Sequence, residues 1–284
     1  MKIFKIILKS LGAILLLLVI IAVSLYMIYL RPLMQKMKEV STIKYDKELT
    51  IVFGGGGNSG ILTSDSLVIV IDTKMDEAAQ TLYNTVKELA GNKPVLVINT
   101  HIHPDHTEGN KYYKGQTIIA GGNYTKEQWI TDAGKESLPT QWLKDKMDIK
   151  MGDDTATILN LRKNAHTASD VMVYFHKRKM LFAGDVILNK NAPALFGTAD
   201  PDGYVTAMDS LPKIFDIQKI VSGHGEIGGY EVINNFRQYF IDMKVAAMDG
   251  SKKDSLIVKY KDWNQIPIVM SPGATIRFIK NKSE

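Results

Sequence analysis

Two periodicities divide this chain, and each predicts a different kind of element. Residues 10–30, SLGAILLLLVIIAVSLYMIYL, carry no charged side chain. As a helix rising about 1.5 Å per residue, the run spans roughly the 30 Å hydrocarbon layer of a bilayer. From residue 48 onward the apolar positions fall instead in short β-branched runs bounded by Gly, Asp or Pro: LTIVFGGGGNSGIL, LVIVID, PVLVINT, TIIA, ATILNL, VMVYF, KMLFAGD and KIVSG. These predict strands. Between LVIVID and PVLVINT, the residues Met75, Ala78, Ala79, Leu82, Val86 and Leu89 recur at helical spacing across 74–91. Val232, Ile233, Phe236, Tyr239, Phe240 and Met243 mark one face of a later helix at 229–248. Such stripes are what a helix covering a sheet requires. The glycines at 54–57 predict a tight turn or a close backbone approach, where positive φ is wanted.

The segments follow from these patterns. Residues 1–9 are a short basic N-terminus with Lys2, Lys5 and Lys9, and 10–30 a transmembrane signal-anchor helix ended by Arg31 and Pro32. Tyr26 and Tyr29 stand where an interfacial aromatic belt would lie. Residues 31–47 read as a linker and 48–284 as a single folded domain. The competing reading of the N-terminus is a cleavable signal peptide. Against it, the apolar run exceeds the usual core of roughly 7–15 residues, and the weak cleavage-like pair Ala22 and Ser24 lies inside it. The expectation is a single-pass membrane protein with the bilayer as partner, a short cytoplasmic N-terminus and the domain outside the cytoplasm. The net charge of +5 does not alter this picture: residues 1–47 hold eight Lys/Arg against two Asp/Glu, and 48–284 hold 27 against 28. No duplex-binding patch results, so nucleic acid is not an expected partner.

The chain has no cysteine, which removes disulfides, thiolate zinc sites, Fe–S clusters and a Cys nucleophile. Any metal must be held by nitrogen and oxygen. Three of the six histidines lie in HIHPDH, residues 101–106, directly after the apolar run VLVIN. That is the carboxyl end of a predicted strand, where α/β proteins commonly place their chemistry. Pro104 disfavours helical geometry at His103 and pins the turn. Imidazoles two residues apart, followed by a carboxylate and a third imidazole just past a bend, can converge on one region. Their donors suit zinc at ~2.0–2.2 Å; a solvated polar turn is the bland alternative. His166 in NAHTASD follows ATILNL, and His224 in SGHGE follows KIV. Asp185 closes LFAGD, at a strand end where an uncompensated buried carboxylate is costly. His176, among lysines in VMVYFHKRK, reads as a surface residue.

THIHPDH, AHTASD, FAGD and SGHG, preceded by GNSG and VID, follow one another over residues 48–226. Together they resemble the metallo-β-lactamase fold superfamily. The resemblance implies an α+β fold, an αββα four-layer sandwich with the metals at one edge between its two sheets. It implies that His101, His103 and His166 hold a first metal, that Asp105, His106 and His224 hold a second, and that Asp185 bridges both. Asp72, closing VID, matches a carboxylate that orients site loops without itself binding metal. Two zinc ions are the implied cofactors, with iron or a mixed pair as alternatives. Within the superfamily the motifs are most similar to hydroxyacylglutathione hydrolases and lactonases. Beyond His224, however, the sequence offers only one long helix and a tail, so a dedicated glutathione-binding domain is not expected within it. HTASD also departs from the commoner HTPG, with Ala168 and Ser169 where Pro and Gly would stand.

Two divalent ions roughly 3.5–4 Å apart bring a bridging water towards neutrality and polarise a substrate oxygen. The expected protein is therefore a membrane-anchored dinuclear zinc hydrolase that uses a metal-bridging hydroxide, oriented by Asp105, on an ester, thioester, lactone or related bond of a small molecule. The loops holding Asn58 and Ser59 and the segment 188–204 would wall the pocket. Lys190 and Tyr204 are the candidate substrate contacts, although an ordinary loop lysine is the competing reading of Lys190. Two other classes stay open. A persulfide dioxygenase needs one iron held by two His and one Asp. A non-catalytic binding module is opposed by the complete ligand set.

Overall fold

Val68, Ile69, Val70 and Ile71 are all buried, yet they serve two different cores. In the computed structural model, which describes residues 2–31 and 39–283, Val68 and Val70 pack under a helix while Ile69 and Ile71 face a second sheet. A strand covered on both faces loses the alternation of polar and apolar positions, which is why LVIVID reads as a continuous apolar run. Val171, Val173 and Phe175 point between the sheets in the same way, while Met172 and Tyr174 point outward to other helices.

The chain forms two units, Met1–Glu39 and Val40–Glu284. The first contains α1 (Lys2–Leu25), continued by a wider π turn over Tyr26–Leu30. Its stretch Leu11–Ile28 is long and apolar enough to cross a membrane. Residues 32–38 of the expected linker, Pro32 among them, lie outside the described residues.

The second unit holds two sheets. Seven strands run in sequence order through the first: β1 (Ser41–Lys44), β2 (Leu49–Phe53), β3 (Ser59–Thr63), β4 (Val68–Ile71), β5 (Val95–Ile98), β6 (Thr117–Gly121) and β7 (Gln141–Leu143). Pairing is antiparallel from β1 to β4 and parallel from β4 to β7. The second sheet has β8 (Lys146–Met151), β9 (Asp154–Asn160), β10 (Val171–Phe175), β11 (Met180–Phe182) and β12 (Lys219–Val221), in the order β12-β11-β10-β9-β8. Leu49, Ile51, Leu62, Ile98 and Ile119 of one sheet meet Ile158, Val173, Phe175, Phe182 and Val221 of the other. Helix α2 (Asp76–Ala90) covers the first sheet through Leu82, Val86 and Ala90. Residues of Pro201–Ile214, Glu231–Met248 and Pro272–Ser283 join the core on the outer face of the second. The architecture is the expected αββα sandwich.

Three differences from the sequence reading have physical causes. β1 lies inside the expected linker: Thr42 and Ile43 are exposed edge residues, so its only signal is pairing with β2. Residues 201–204, the end of the segment expected to wall the pocket, open the helix Pro201–Ile214. Asp200 caps it by accepting from the Asp202 amide, and Pro201 occupies the first turn, where the missing N–H costs nothing. The expected tail contains a further helix, Pro272–Ser283, packed on Glu231–Met248 through Ile276 and Ile279.

Arg178 joins the hairpin entering β2 to the second sheet. Its guanidinium donates to Asp154 (2.7 Å), Asp46 (2.8 Å) and Glu48 (2.7 Å), and Asp154 is buried. Replacing Arg178 by Met should leave Asp154 without its cation and destabilise the domain by about 2–3 kcal/mol. The measurement is urea unfolding of the variant against wild type; a change under about 0.5 kcal/mol, the range of an unremarkable surface substitution, would contradict this role.

Candidate metal centre

The site is assembled at strand ends from both sheets. After β5, His101 and His106 are buried and His103 is half-buried. His103 is extended (φ −60°, ψ 147°) because Pro104 follows it. Pro104 then opens a single helical turn, Pro104–Thr107, which carries Asp105 and His106 back over the strand end. The Thr107 hydroxyl ties this turn to the carbonyls of Ile102 (3.1 Å) and His103 (3.0 Å). His166 comes from the connection between β9 and β10, Asp185 from just past β11, and His224 from just past β12.

The side chains form two neighbouring nests. His103 Nδ1 lies 3.1 Å from His101 Nε2 and 2.8 Å from His166 Nε2. In the other nest, Asp105 Oδ2 lies 3.4 Å from His106 Nε2 and 3.2 Å from His224 Nε2. Donor atoms within each trio lie within 4.8 Å of one another, as do those of His101, His106 and Asp185. Asp185 stands between them: Oδ1 is 3.3 Å from His106 Nε2 and 3.5 Å from His224 Nε2, while Oδ2 is 3.5 Å from His166 Nε2.

The far nitrogens decide where the lone pairs point. Thr100 donates its hydroxyl proton to Asp72 Oδ2 (2.7 Å), so its oxygen is left to accept from His101 Nδ1 (3.1 Å). His106 Nδ1 donates to Asp72 Oδ2 (2.7 Å), and Asp72 Oδ1 accepts the Thr100 amide (2.7 Å). His166 Nδ1 pairs with the Tyr204 hydroxyl (2.7 Å). With its Nδ1 proton outward, His101 presents an Nε2 lone pair to the interior, and His106 does the same in its neutral form. His106 Nε2 and Asp185 Oδ1 are buried without a hydrogen-bond partner. Such atoms are costly unless something polar or charged meets them, and this pair fits a cation.

Electrostatics agree with that fit. Burial and the neighbouring rings hold His101 well below the ordinary imidazole range; burial likewise lowers His103, and takes His166 down to about 3. Neutral imidazole is the ligand form. At His106 burial also works against the charged form, but Asp105, Asp72 and Asp185 together raise it well above its usual value. Asp105 and Asp185 are held well below the carboxylate range, against their burial, by His106 and His224. These carboxylates require positive charge beside them.

The structure brings together His101, His103, Asp105, His106, His166, Asp185 and His224, with Asp72 behind them. His176 is exposed and elsewhere, its Nε2 on Thr157 Oγ1 (2.8 Å). One candidate substrate contact needs correction. Tyr204 is fully buried behind His166, where it orients that ring and faces no open space. Asn58, on a loop expected to wall the pocket, turns its buried amide onto the carbonyls of Ser222 (2.9 Å) and Gly225 (2.8 Å), clipping the His224 loop. Lys190 is exposed on its loop with φ +52°.

Sequence reasoning missed two supports. Asp170 accepts from the amides of Ala165 (3.2 Å), His166 (2.9 Å) and Thr167 (3.0 Å) and from the Thr167 hydroxyl (2.7 Å), fixing the His166 loop. Its signal was present in AHTASD. Ser169 explains the departure from HTPG, since its hydroxyl accepts from the Asn123 amide (3.2 Å) and donates to Asn160 Oδ1 (3.2 Å). The other support, Lys74, is fully buried and gave no signal. Its ammonium donates to the carbonyls of Gly54 and Gly57, both at 2.7 Å. Burial pulls it down to about 7, against Asp72 and Asp105, which favour its charge.

Comparison with known proteins places this geometry in a family. The model of the metallo-beta-lactamase superfamily matches residues 52–224, more than half of the chain. The chain is 21% identical over 179 residues to the acyl-coenzyme A thioesterase MBLAC2 of Gallus gallus, covering 54% of this chain and 64% of that protein, which is less than two thirds of its length. It is 26% identical over 175 residues to the metallo-beta-lactamase type 2 of Elizabethkingia meningoseptica, covering 60% of this chain and 69% of that protein. Among solved structures, a metallo-beta-lactamase from Pontibacter korlensis superposes with a TM-score of 0.62 at 18% identity, over 72% of this chain and all of that one. With the fold, the donor cluster and the family match in agreement, the chain belongs to the metallo-beta-lactamase superfamily.

Proposed function

We propose that this chain is a membrane-anchored dinuclear zinc hydrolase of acyl thioesters and related activated esters. The observation that carries the reading is the division of Asp185, whose two oxygens face different imidazole nests. His101, His103 and His166 would hold one ion, Asp105, His106 and His224 the other, and Asp185 both. Five imidazoles and two carboxylates, with no sulfur, are a donor set suited to zinc. Acyl thioesters are favoured because a thioesterase stands among the relatives, and because a thiolate departs more easily than an alkoxide and needs no dedicated acid.

When bound, the two ions would supply Lewis acidity towards the acyl carbonyl and shift a water's pKa towards neutrality. The chain's own residues do the positioning. Asp105 is about one quarter exposed, so it can accept a hydrogen bond from the attacking water while its Oδ2 faces His106 and His224. Asp72 and Thr100 fix the rings of His106 and His101, and Tyr204 that of His166. The helix over Leu11–Ile28 supports anchoring, since it has the length and composition of a membrane span.

Three outcomes test this reading. Saturated with zinc, the protein should hold two equivalents, His106→Ala one, and His176→Ala still two, as read by metal analysis after gel filtration. A wild type saturating at one equivalent would exclude the dinuclear centre. Zinc-loaded enzyme should hydrolyse acyl-coenzyme A thioesters without oxygen, and Asp105→Asn should lower kcat by at least about 100-fold, in the range of a lost positioned base. Zinc enzyme that is inert over a broad thioester and ester panel, beside an iron form that consumes oxygen with glutathione persulfide, would replace the hydrolase reading by a dioxygenase. Finally, the full chain should stay with membranes through an alkaline carbonate wash, while residues 40–284, which contain all four hydrophobic clusters, should be soluble. Release of the full chain by the wash would count against an anchor.

A further inference from the structure

The loop Gly54–Asn58 touches Asp105, His106 and the turn that carries His224. The Gly57 amide donates to the Asp105 carbonyl (3.1 Å), and Gly56 lies so close to Asp105 that a Cβ there would stand 2.7 Å from its carbonyl oxygen. A Cβ on Gly57 would collide with the His106 ring. The Asn58 amide donates to the Gly223 carbonyl (2.7 Å) and its side chain to Ser222 and Gly225, on either side of His224. No hydrogen bond from this loop to His101, His103 or His166 occurs among the described residues.

What holds this loop is a charged group. Lys74 sends its ammonium onto the carbonyls at both ends of the glycine run. It reaches them because the backbone is turned at Asp72 (φ +57°) and Lys74 (φ +61°), a left-handed conformation that is strained at a non-glycine residue. The same bend delivers Asp72 to His106, and the Thr73 amide donates to the His106 carbonyl (2.8 Å). Strain of this kind persists only where the surroundings over-determine it.

We propose that Lys74 is a positioning residue for the second metal pocket: its ammonium fastens the glycine loop against Asp105, His106 and the His224 turn, and thereby sets the affinity of that pocket alone. The inference rests on the two-ion reading given above. Lys74 touches neither substrate nor ion. Its contribution is to keep the loop seated on the pocket; Tyr204 and Asp170 hold the His166 side of the first nest without it, and Thr100 holds His101 while bonded to Asp72.

The test compares wild type with Lys74→Met, which keeps most of the aliphatic stem but removes the donors and the charge. Stepwise zinc affinities are measured by competition with a chromophoric chelator, and the absorption bands of the cobalt-substituted protein report each site. Lys74→Met should weaken the second ion 10- to 100-fold, the usual range for losing a group that supports ligands, and change the first less than threefold. The cobalt bands of the second site should weaken with it. Lys74→Gln, whose amide can still donate, should be intermediate; it also serves if the methionine variant does not fold. Gly57→Ala should reproduce the selective loss with Lys74 intact. Equal loss at both sites, or unchanged second-site affinity in a wild type that binds two ions, overturns this inference alone. A wild type that binds one ion overturns the two-ion reading and this inference with it.

Discussion

Three carboxylates, those of Asp72, Asp105 and Asp185, converge on the single buried ring of His106. Gathering that much negative charge away from water is strongly unfavourable unless positive charge is present, and much of the surrounding structure bears on that constraint. Each carboxylate comes from a different part of the sandwich: the end of β4, the turn after β5 and the end of β11. The strand ends of both sheets must therefore be held in fixed register for the charges to meet. The interleaved core between the sheets supplies that register, with Val173, Phe175 and Phe182 on one side and Ile51, Leu62 and Ile98 on the other.

Around this centre the hydrogen bonds form an outer layer in which almost every ligand loop has its own tether. Thr100 and Asp72 fix the first rings, Asp170 fixes the His166 loop through backbone amides, and Asn58 clips the turn that carries His224. These tethers span both sheets, so the arrangement of the centre depends on the sandwich as a whole. The Asn99–Asn110 pair adds another: the amides bond to each other and to the carbonyls of His106 and Ser137, closing the space beneath the turn that carries Asp105 and His106.

The fold was legible where physics acts locally. LVIVID, PVLVINT and VMVYF announce buried strands, and the stripe from Ala78 to Val86 announces its helix. The residues of the candidate metal centre were legible because imidazole and carboxylate at strand ends have few other uses, and because their order resembles a known superfamily. What escaped depended on tertiary partners. β1 has exposed side chains and is a strand only because β2 pairs with it. Tyr204 looks like a loop residue until the helix Pro201–Ile214 turns it onto His166. Lys74 resembles any surface lysine, and no periodicity shows that the left-handed bend at residues 72–74 buries it.

The glycine run has a thermodynamic consequence for the ring it touches. His106 is pinned at Nδ1 by Asp72 while the backbone of Gly57 lies against its face, so close that a methyl group would not fit between them. A side chain confined in this way has already given up its rotameric freedom during folding. Capture of a ligand by His106 then carries little further loss of conformational entropy, and the association keeps more of its intrinsic strength. In this sense the missing side chains at positions 56 and 57 make the pocket rigid before anything enters it.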